Sequence, residues 1–472
     1  MPNTLAYAVL VSWPLVAVWI YAAMPRTRAI VCLMVIPYLL LPSATILDLP
    51  VVPPINKTTM ANITLLLLVL FAAREKEPLL PSSLSVRLLL AMAFTAPFLT
   101  ALQNSDPLLF PQGWVPAMSF YDALSSTIQL LLMIVPFFVG RAYLSSPTGH
   151  REIAVVFLAS ALFYSAPMLL ELRLSPQLHN WIYGFHQHSF SQQIRGGGFR
   201  PVVFLSHGLM VALYVVFAVA AAAILWRQRN QERERERSGL FFVALAYLLV
   251  VLVLCKSLAS LLYAVVILTA LLLFGVRTQL RLAVLLAFIT VAYPALRSLD
   301  VIPVNEMLDL ARQVNEDRAN SLQFRFDNES ALLERASERP SFGWGSWGRY
   351  HIHHPITGEE TSIADGYWII TLGTFGWFGF LAIFGLLAVP LMSIWRGMQR
   401  MNANTISYAT SGLSLILATN MIDLLPNASI VPITWLIAGS LLGYAERISV
   451  SSAEDLPGRK RSTSLPKRRT VL

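Results

Sequence analysis

Long apolar runs recur from one end of this chain to the other, and they restrict its fold more than any single motif does. Segments 5–23, 29–48, 58–73, 84–102, 122–140, 153–172, 201–226, 239–254, 258–275, 282–297, 366–394, 406–422 and 429–445 are each almost uninterrupted hydrophobic sequence. At roughly 20 residues per crossing they make about thirteen membrane spans. Segments 58–73 and 239–254 are short, and 258–275 reads as one arm of a tight hairpin. Only 13% of the residues are charged, against about 25% in a soluble domain. A β-barrel would show short alternating segments, and none is visible. The expectation is therefore an all-α polytopic membrane protein with about 12–13 transmembrane helices and one large loop containing short helices.

The polar sequence divides the spans. N-terminal spans occupy 1–172, a loop 173–200, central spans 201–297, the large loop 298–365, C-terminal spans 366–446 and a basic tail 447–472. Placing the tail (Arg459-Lys460-Arg461, Lys467-Arg468-Arg469) in the cytoplasm puts Arg26, Arg28, Arg74, Lys76, Arg87, Arg141, Arg151, Arg277, Arg281, Arg396 and Arg400 on the same side. That matches the bias of basic residues toward cytoplasmic loops. Loops 173–200 and 298–365 are then external. Long loops translocate whatever their charge, so their arginines need a separate reason. The alternating run from Arg227 to Arg237 reads as a solvated cytoplasmic linker, and the Ser-, Pro- and Lys/Arg-rich tail as disordered. The net charge of +9 lies in loops between spans, and no soluble domain is large enough to bind nucleic acid. Cys32 and Cys255 lie in or beside apolar runs, which argues against a disulfide framework or a thiolate metal site. Leu5–Ala23 is long enough to persist as a span and does not read as a cleaved signal.

Chemistry is expected where polar residues concentrate outside the membrane. The loop 173–200 ends in Gln193-Ile194-Arg195-Gly196-Gly197-Gly198-Phe199-Arg200-Pro201. Glycines there let backbone approach a ligand, and Arg195 and Arg200 read as an anion clamp, because guanidinium binds phosphate oxygens in pairs. Lys256-Ser257 separates two apolar runs and falls on the same external face. In the large loop, Asn305–Asn315 has the apolar spacing of a surface amphipathic helix, and Asn328 reads as the cap of a second short helix through Leu333. Arg325, Arg335 and Arg339 follow as candidate inward-pointing cations. Phe342-Gly343-Trp344-Gly345 is too glycine-rich for a helix and reads as a turn on aromatic rings, of the kind sugars stack upon. His351-Ile352-His353-His354 lacks the accompanying ligands of a zinc site, so no metal is expected; His353 is instead a candidate proton acceptor. Asp365, at the mouth of the next span beside Tyr367, is either an ion-pair partner or a base.

These residues resemble the bacterial O-antigen ligase and O-antigen polymerase superfamily over roughly 195–380. The resemblance is carried by Arg200-Pro201 before an apolar span and by the Lys256-Ser257 turn, where the family often has Ser-Arg. It is carried also by Arg339-Pro340-Ser341-Phe342-Gly343-Trp344-Gly345, followed by Asp365-Gly366-Tyr367-Trp368 and Leu372-Gly373-Thr374-Phe375-Gly376-Trp377-Phe378-Gly379. It implies an inverting glycan transfer, with no metal or other cofactor, at the periplasmic face of the bacterial inner membrane, which would make 298–365 a large periplasmic loop. The donor would be a glycan on undecaprenyl diphosphate and the acceptor a sugar hydroxyl. Partners would be the lipid bilayer, a chain-length regulator and other polysaccharide-assembly proteins. Catalysis would fall to Asp365, His353 and Arg339, and substrate binding to Arg195, Arg200, Lys256, Arg325, Arg335, Trp344 and Tyr367.

One departure matters. Ligases of this family carry a His-Asn pair at the start of the span after the large loop; counting back from Gly376-Trp377-Phe378-Gly379, the histidine position holds Asp365. Either Asp365 or a histidine of 351–354 then does that work, or the chain belongs to a polymerase branch. This favours an exopolysaccharide or O-antigen polymerase over a ligase. A transporter or flippase is the rival class. It would need charged residues and broken helices deep in the spans, whereas here polar residues gather at the outer ends and no internal repeat is visible. A non-catalytic scaffold would not need the loop arginines.

Overall fold

The computed structural model describes residues 1–48, 54–73, 75–195, 197–231, 235–314, 316–400 and 406–454. The tail from residue 455, Gly196, Arg74 and the middle of the 227–237 charge run lie outside the described residues. Each apolar segment of the sequence is carried by a helix. The N-terminal set is α1 (Thr4–Ala23), α2 (Arg26–Leu40), α3 (Lys57–Phe71), α4 (Leu84–Gln103), α5 (Phe120–Tyr143) and α6 (Pro147–Leu174). A short α7 (Leu178–Tyr183) precedes the central set, α8 (Gly208–Gln231), α9 (Arg235–Leu254), α10 (Leu258–Leu273) and α11 (Val276–Ser298). The large loop carries α12 (Val304–Val314) and α13 (Glu316–Ser337), and α14 (Tyr367–Arg400), α15 (Tyr408–Asp423) and α16 (Pro432–Glu454) complete the bundle. Two small hairpins, β1–β2 (108–110, 113–115) and β3–β4 (194–195, 198–199), are its only named strands among the described residues.

Seven helices, α1, α4, α5, α6, α8, α11 and α14, are long and apolar enough to cross a membrane, and α3, α9 and α10 are shorter apolar helices. The protein is thus an all-α chain with the helices of a multi-pass membrane protein. A helix apolar on every side belongs inside a bundle. The apolar stretch of α8 is accordingly 89% buried, and α15 is buried at every residue from Ala409 to Met421. α8 packs on α6, α9, α10 and α15. α5 and α16 approach through small residues: a Cβ on Gly140, Gly439 or Gly443 would run into backbone of the facing helix.

The apolar run beginning at 201 becomes helical only at Gly208. The reason is a set of side chains that capture its backbone donors. The Glu171 carboxylate accepts from Val202 and Val203 N–H, both at 2.8 Å, and from Leu178 N–H at 3.1 Å. The Tyr164 hydroxyl accepts from Phe204 N–H at 3.0 Å. Val203 sits at φ +54°, costly for a β-branched residue and tolerated only where neighbours fix it. The chain therefore turns, largely buried, across the end of the bundle before α8 begins, and this carries Arg200 inward.

The large loop differs from its expected form at one point. Asn328 does not cap a helix: α13 runs unbroken from Glu316 to Ser337, with Asn328 inside it. Its Nδ2 donates to Phe324 O at 2.9 Å, and its Oδ1 accepts from Ile363 N–H at 2.7 Å, so it ties the chain ahead of α14 to α13.

α14 is broken near its start. Gly376 adopts φ +63°, ψ −168°, a conformation open in practice only to glycine. The carbonyls and amides freed there pair with the loop. Trp344 and Gly345 N–H donate to Gly373 O (2.8 Å) and Thr374 O (2.9 Å), and Trp377 and Phe378 N–H donate to Pro340 O (2.8 Å) and Ser341 O (3.2 Å). Gly343, at φ +70°, faces the break so closely that a Cβ on it would lie 2.5 Å from the Thr374 carbonyl. The glycine-and-aromatic pattern of 340–345 and 373–379 thus joins loop to helix.

Candidate functional site

A cavity of about 990 Å³ opens at one end of the bundle. Its walls come from the loop and hairpin around β3, the turn and first residues of α8 from His207 to Met210, the α9–α10 turn and start of α10, one position on α13, the segment before α14 and the α15–α16 loop. Five residues singled out in the sequence meet there: Arg195, Arg200, Lys256, Arg325 and Asp365. They are up to 170 positions apart, so only the fold gathers them.

Arg200 is 6% exposed and lies across the start of α8, where its side chain occupies the space a Cβ on Gly208 would need. Its Nη2 donates to Lys256 O at 3.1 Å, while its Nε is buried without an acceptor among the described residues. Burial first, then Arg195, lowers its pKa from the usual value. Lys256 is held at φ +52° in the turn, and its Nζ donates to Arg195 O at 2.9 Å. Hairpin and turn are so close that a Cβ on Gly198 would sit 2.6 Å from that Nζ. Arg325 reaches in from α13, with Nε 3.3 Å from Asp365 Oδ2 and Nη1 donating to Pro426 O at 3.3 Å. Asn427 and Ser429 also line the cavity and are fixed by buried Asp423, which accepts from Asn427 Nδ2 (2.9 Å) and Ser429 Oγ (2.5 Å).

His207 also lines the cavity and escaped sequence analysis. Its Nδ1 accepts from Leu209 N–H at 3.0 Å, which assigns the proton to Nε2, 3.3 Å from Gln192 Oε1. Burial, then His188 and the cavity arginines, pushes its pKa down to about 4, so it stands neutral at physiological pH. Seven residues beyond Arg200 and directly ahead of α8, its position was a signal that could have found it.

The other predicted site residues lie elsewhere. The Trp344 ring is sandwiched between Arg335 and Arg339, with guanidinium carbons 3.3 and 4.1 Å from its centroid, and its Nε1 donates to Arg335 O at 2.7 Å. Arg339 Nη1 donates to Gln103 O (2.7 Å) and Asn104 Oδ1 (2.6 Å) at the end of α4. Asn104 in turn donates to Gly343 O at 3.0 Å, and fully buried Arg349 donates to Trp344 O (3.1 Å) and Pro116 O (2.8 Å). This is a knot tying the large loop to α4. His353 packs 5.5 Å from the Phe110 ring, beside its bridge to Glu360, and burial, then Arg335, lowers its pKa. Tyr367 turns inward onto Phe384, with ring centroids 6.1 Å apart. Replacing Arg339 by alanine is expected to cost about 1–3 kcal/mol of stability, the usual range when a buried hydrogen-bond partner is left unsatisfied, while whatever activity the cavity supports stays near wild type per folded molecule. Thermal melting of purified protein alongside its specific activity checks this.

The fold and site together define a class: a multi-pass helical protein with a cation-lined cavity at one end of its bundle. No family model matches the chain, and no curated protein matches it.

Proposed function

We propose that the cavity binds the diphosphate of a lipid-linked glycan and supports transfer of that glycan to a sugar hydroxyl, in an exopolysaccharide or O-antigen polymerase. The observation that carries this is the convergence of Arg195, Arg200, Lys256 and Arg325 on one cavity, with Asp365 the sole acidic side chain among its lining residues. So much positive charge, part of it buried, calls for a multivalent anion. The cavity sits at the end of an apolar bundle, where the anion of a lipid is presented. Its volume is at the upper end of the ~300–1,000 Å³ usual for ligand pockets, room for a diphosphate with sugar attached.

Orientation supports an external site. α16 begins beside the cavity wall at Pro432, and its distal end holds Glu446 against Arg141 at 2.6 Å. Arg28 pairs with Glu152 at 2.7 Å near the start of α6. Arg26, Arg28, Arg141 and Arg151 therefore lie at the end away from the cavity. Basic residues favour the cytoplasm, so this distribution supports a reading in which the cavity faces the periplasm of a bacterial inner membrane, with α7, α12 and α13 outside the bilayer.

In this reading the acceptor oxygen attacks the anomeric carbon from the face opposite the leaving group, inverting it. The bond to diphosphate breaks and its electron pair stays on the phosphate oxygen. Arginines already fixed around that oxygen stabilise the charge as it develops. Asp365 holds Arg325 in position. A ligase acting on lipid A core would use the same cavity, and the assay separates the two. In the native host, deletion of the gene is expected to leave single repeat units on the carrier lipid. Wild type restores polymer, whereas Arg200→Ala and Asp365→Ala, expressed at equal level, do not. Full-length polymer retained on the carrier would make the protein a ligase. Unchanged glycan in the deletion, or rescue by both variants, rules out glycan transfer here and returns transport to the front.

A further inference from the structure

Next to the Arg325–Asp365 pair lies a second, smaller chamber of about 80 Å³. It shares Arg325, Ile363 and Asp365 with the large cavity, so the ion pair forms the partition between the two. Glu329, one helical turn beyond Arg325 on α13, is among the chamber's lining residues, with only 13% of its side chain exposed. The chamber has room for about two waters at ~30 Å³ each, enough for a short hydrogen-bonded path from the partition to the carboxylate.

Glu329 is poorly supplied with donors. The Tyr293 hydroxyl donates to its Oε2 at 3.3 Å, and Arg297 Nε stands 4.0 Å away. Arg297 is committed elsewhere, its Nη2 donating to Ser330 Oγ at 2.6 Å. Glu171, a buried structural carboxylate, receives three backbone amides instead. The charged and titratable groups facing Glu329 are Tyr293 and Arg297 of α11, Arg325 of its own helix, and Asp365 ahead of α14. Burial dominates over the hydrogen bond from Tyr293, the charge of Arg297 and the Trp368 indole N–H, and pushes its pKa up to about 7. That is where a group exchanging protons at neutral pH works best. The cavity offers weaker alternatives: the Nδ1 lone pair of His207 is taken by Leu209 N–H, and Asp365 is engaged by Arg325.

Resting on the transfer reaction proposed above, we infer that Glu329 is the acceptor of the proton released in it. As the acceptor oxygen bonds to the anomeric carbon and the electron pair of the broken bond leaves with the diphosphate, the hydroxyl proton crosses the Arg325–Asp365 partition into the chamber. It ends on the Glu329 carboxylate, which later returns it to solvent.

The test is transfer by the full chain in lipid vesicles, with lipid-linked glycan from the deletion host as donor, measured from about pH 5 to about pH 9. Only ionised Glu329 accepts a proton, so the wild-type rate rises with pH through a limb near 7. Glu329→Gln loses that limb and falls ~10²–10⁴-fold, the usual share of proton transfer, with KM for the donor unchanged. Tyr293→Phe, which removes one hydrogen bond favouring the anion and keeps the ring, moves the limb to higher pH. It serves where Glu329→Gln does not fold. An unmoved limb in either variant overturns the assignment while leaving glycan transfer intact. Absence of transfer by the wild type overturns both.

Discussion

On the glycan-transfer reading proposed above, Arg325→Ala is expected to lower transfer by roughly 10²–10³-fold, the cost of removing one preorganised donor from a developing oxyanion, with folded protein still present in the membrane. The two effects separate because of where Arg325 sits. Its bond to Asp365 joins side chains 36% and 40% exposed, and such pairs contribute about 0–1 kcal/mol to stability. Its loss does more at the site. The cation leaves the cavity, the partition to the Glu329 chamber opens, and Asp365 loses its anchor. Arg325→Lys is expected to recover little, because an ammonium reproduces neither the planar fork nor the simultaneous reach to Asp365 and the Pro426 carbonyl. Matched expression, a normal melting temperature and a glycan gel without polymer are the expected results; polymer at wild-type level in Arg325→Ala removes this residue from the site.

Gly376→Ala should act in the opposite way, eliminating folded protein instead of activity. A Cβ there would stand 2.5 Å from the Ser341 carbonyl and 2.6 Å from Phe342 N. Backbone cannot yield as a flexible side chain can. The φ of +63° adds strain for any L-residue, of order 1–3 kcal/mol. Parting the segments breaks the hydrogen bonds at Trp344, Gly345, Trp377 and Phe378, and leaves their groups unpaired beside the membrane. The sum exceeds the ~4–5 kcal/mol that marks the most damaging single substitutions. Gly239→Ala is the control: no atom lies within 4 Å of a Cβ built there, and alanine is the better helix former. Monodisperse detergent-solubilised protein from the control and none from Gly376→Ala is the expected pair of chromatograms; a well-folded Gly376→Ala would show that the break can close.

The apolar runs made the bundle legible, because in lipid a hydrophobic run has one common solution. Arg200, Lys256, Arg325 and Asp365 were legible for a related reason: counting spans puts all four at one end, and the ends of helices from distant parts of the chain converge. Glu329 was not. On the sequence it is one acid in a polar helix, and only the packing of Tyr293 and Arg297 from α11 encloses it. The start of α8 was missed because Glu171 and Tyr164, from another helix, claim the donors a helix would have used. Arg335 and Arg339 read as inward-pointing cations, and Trp344 as part of an aromatic turn of the kind sugars stack upon. In the fold the attraction between cation and ring stacks the three on one another.

The break in α14 also sets the smallest piece of this protein that can be exchanged. A segment that supplies backbone partners to a transmembrane helix is not a separable insertion, however polar its sequence. Chimeras that take residues 340–345 from one relative and 373–379 from another would unite two surfaces shaped for different counterparts, whereas a graft spanning both carries its own complement. Acceptor preference, if it is written in the large loop, is therefore inherited together with the first turns of the helix that follows.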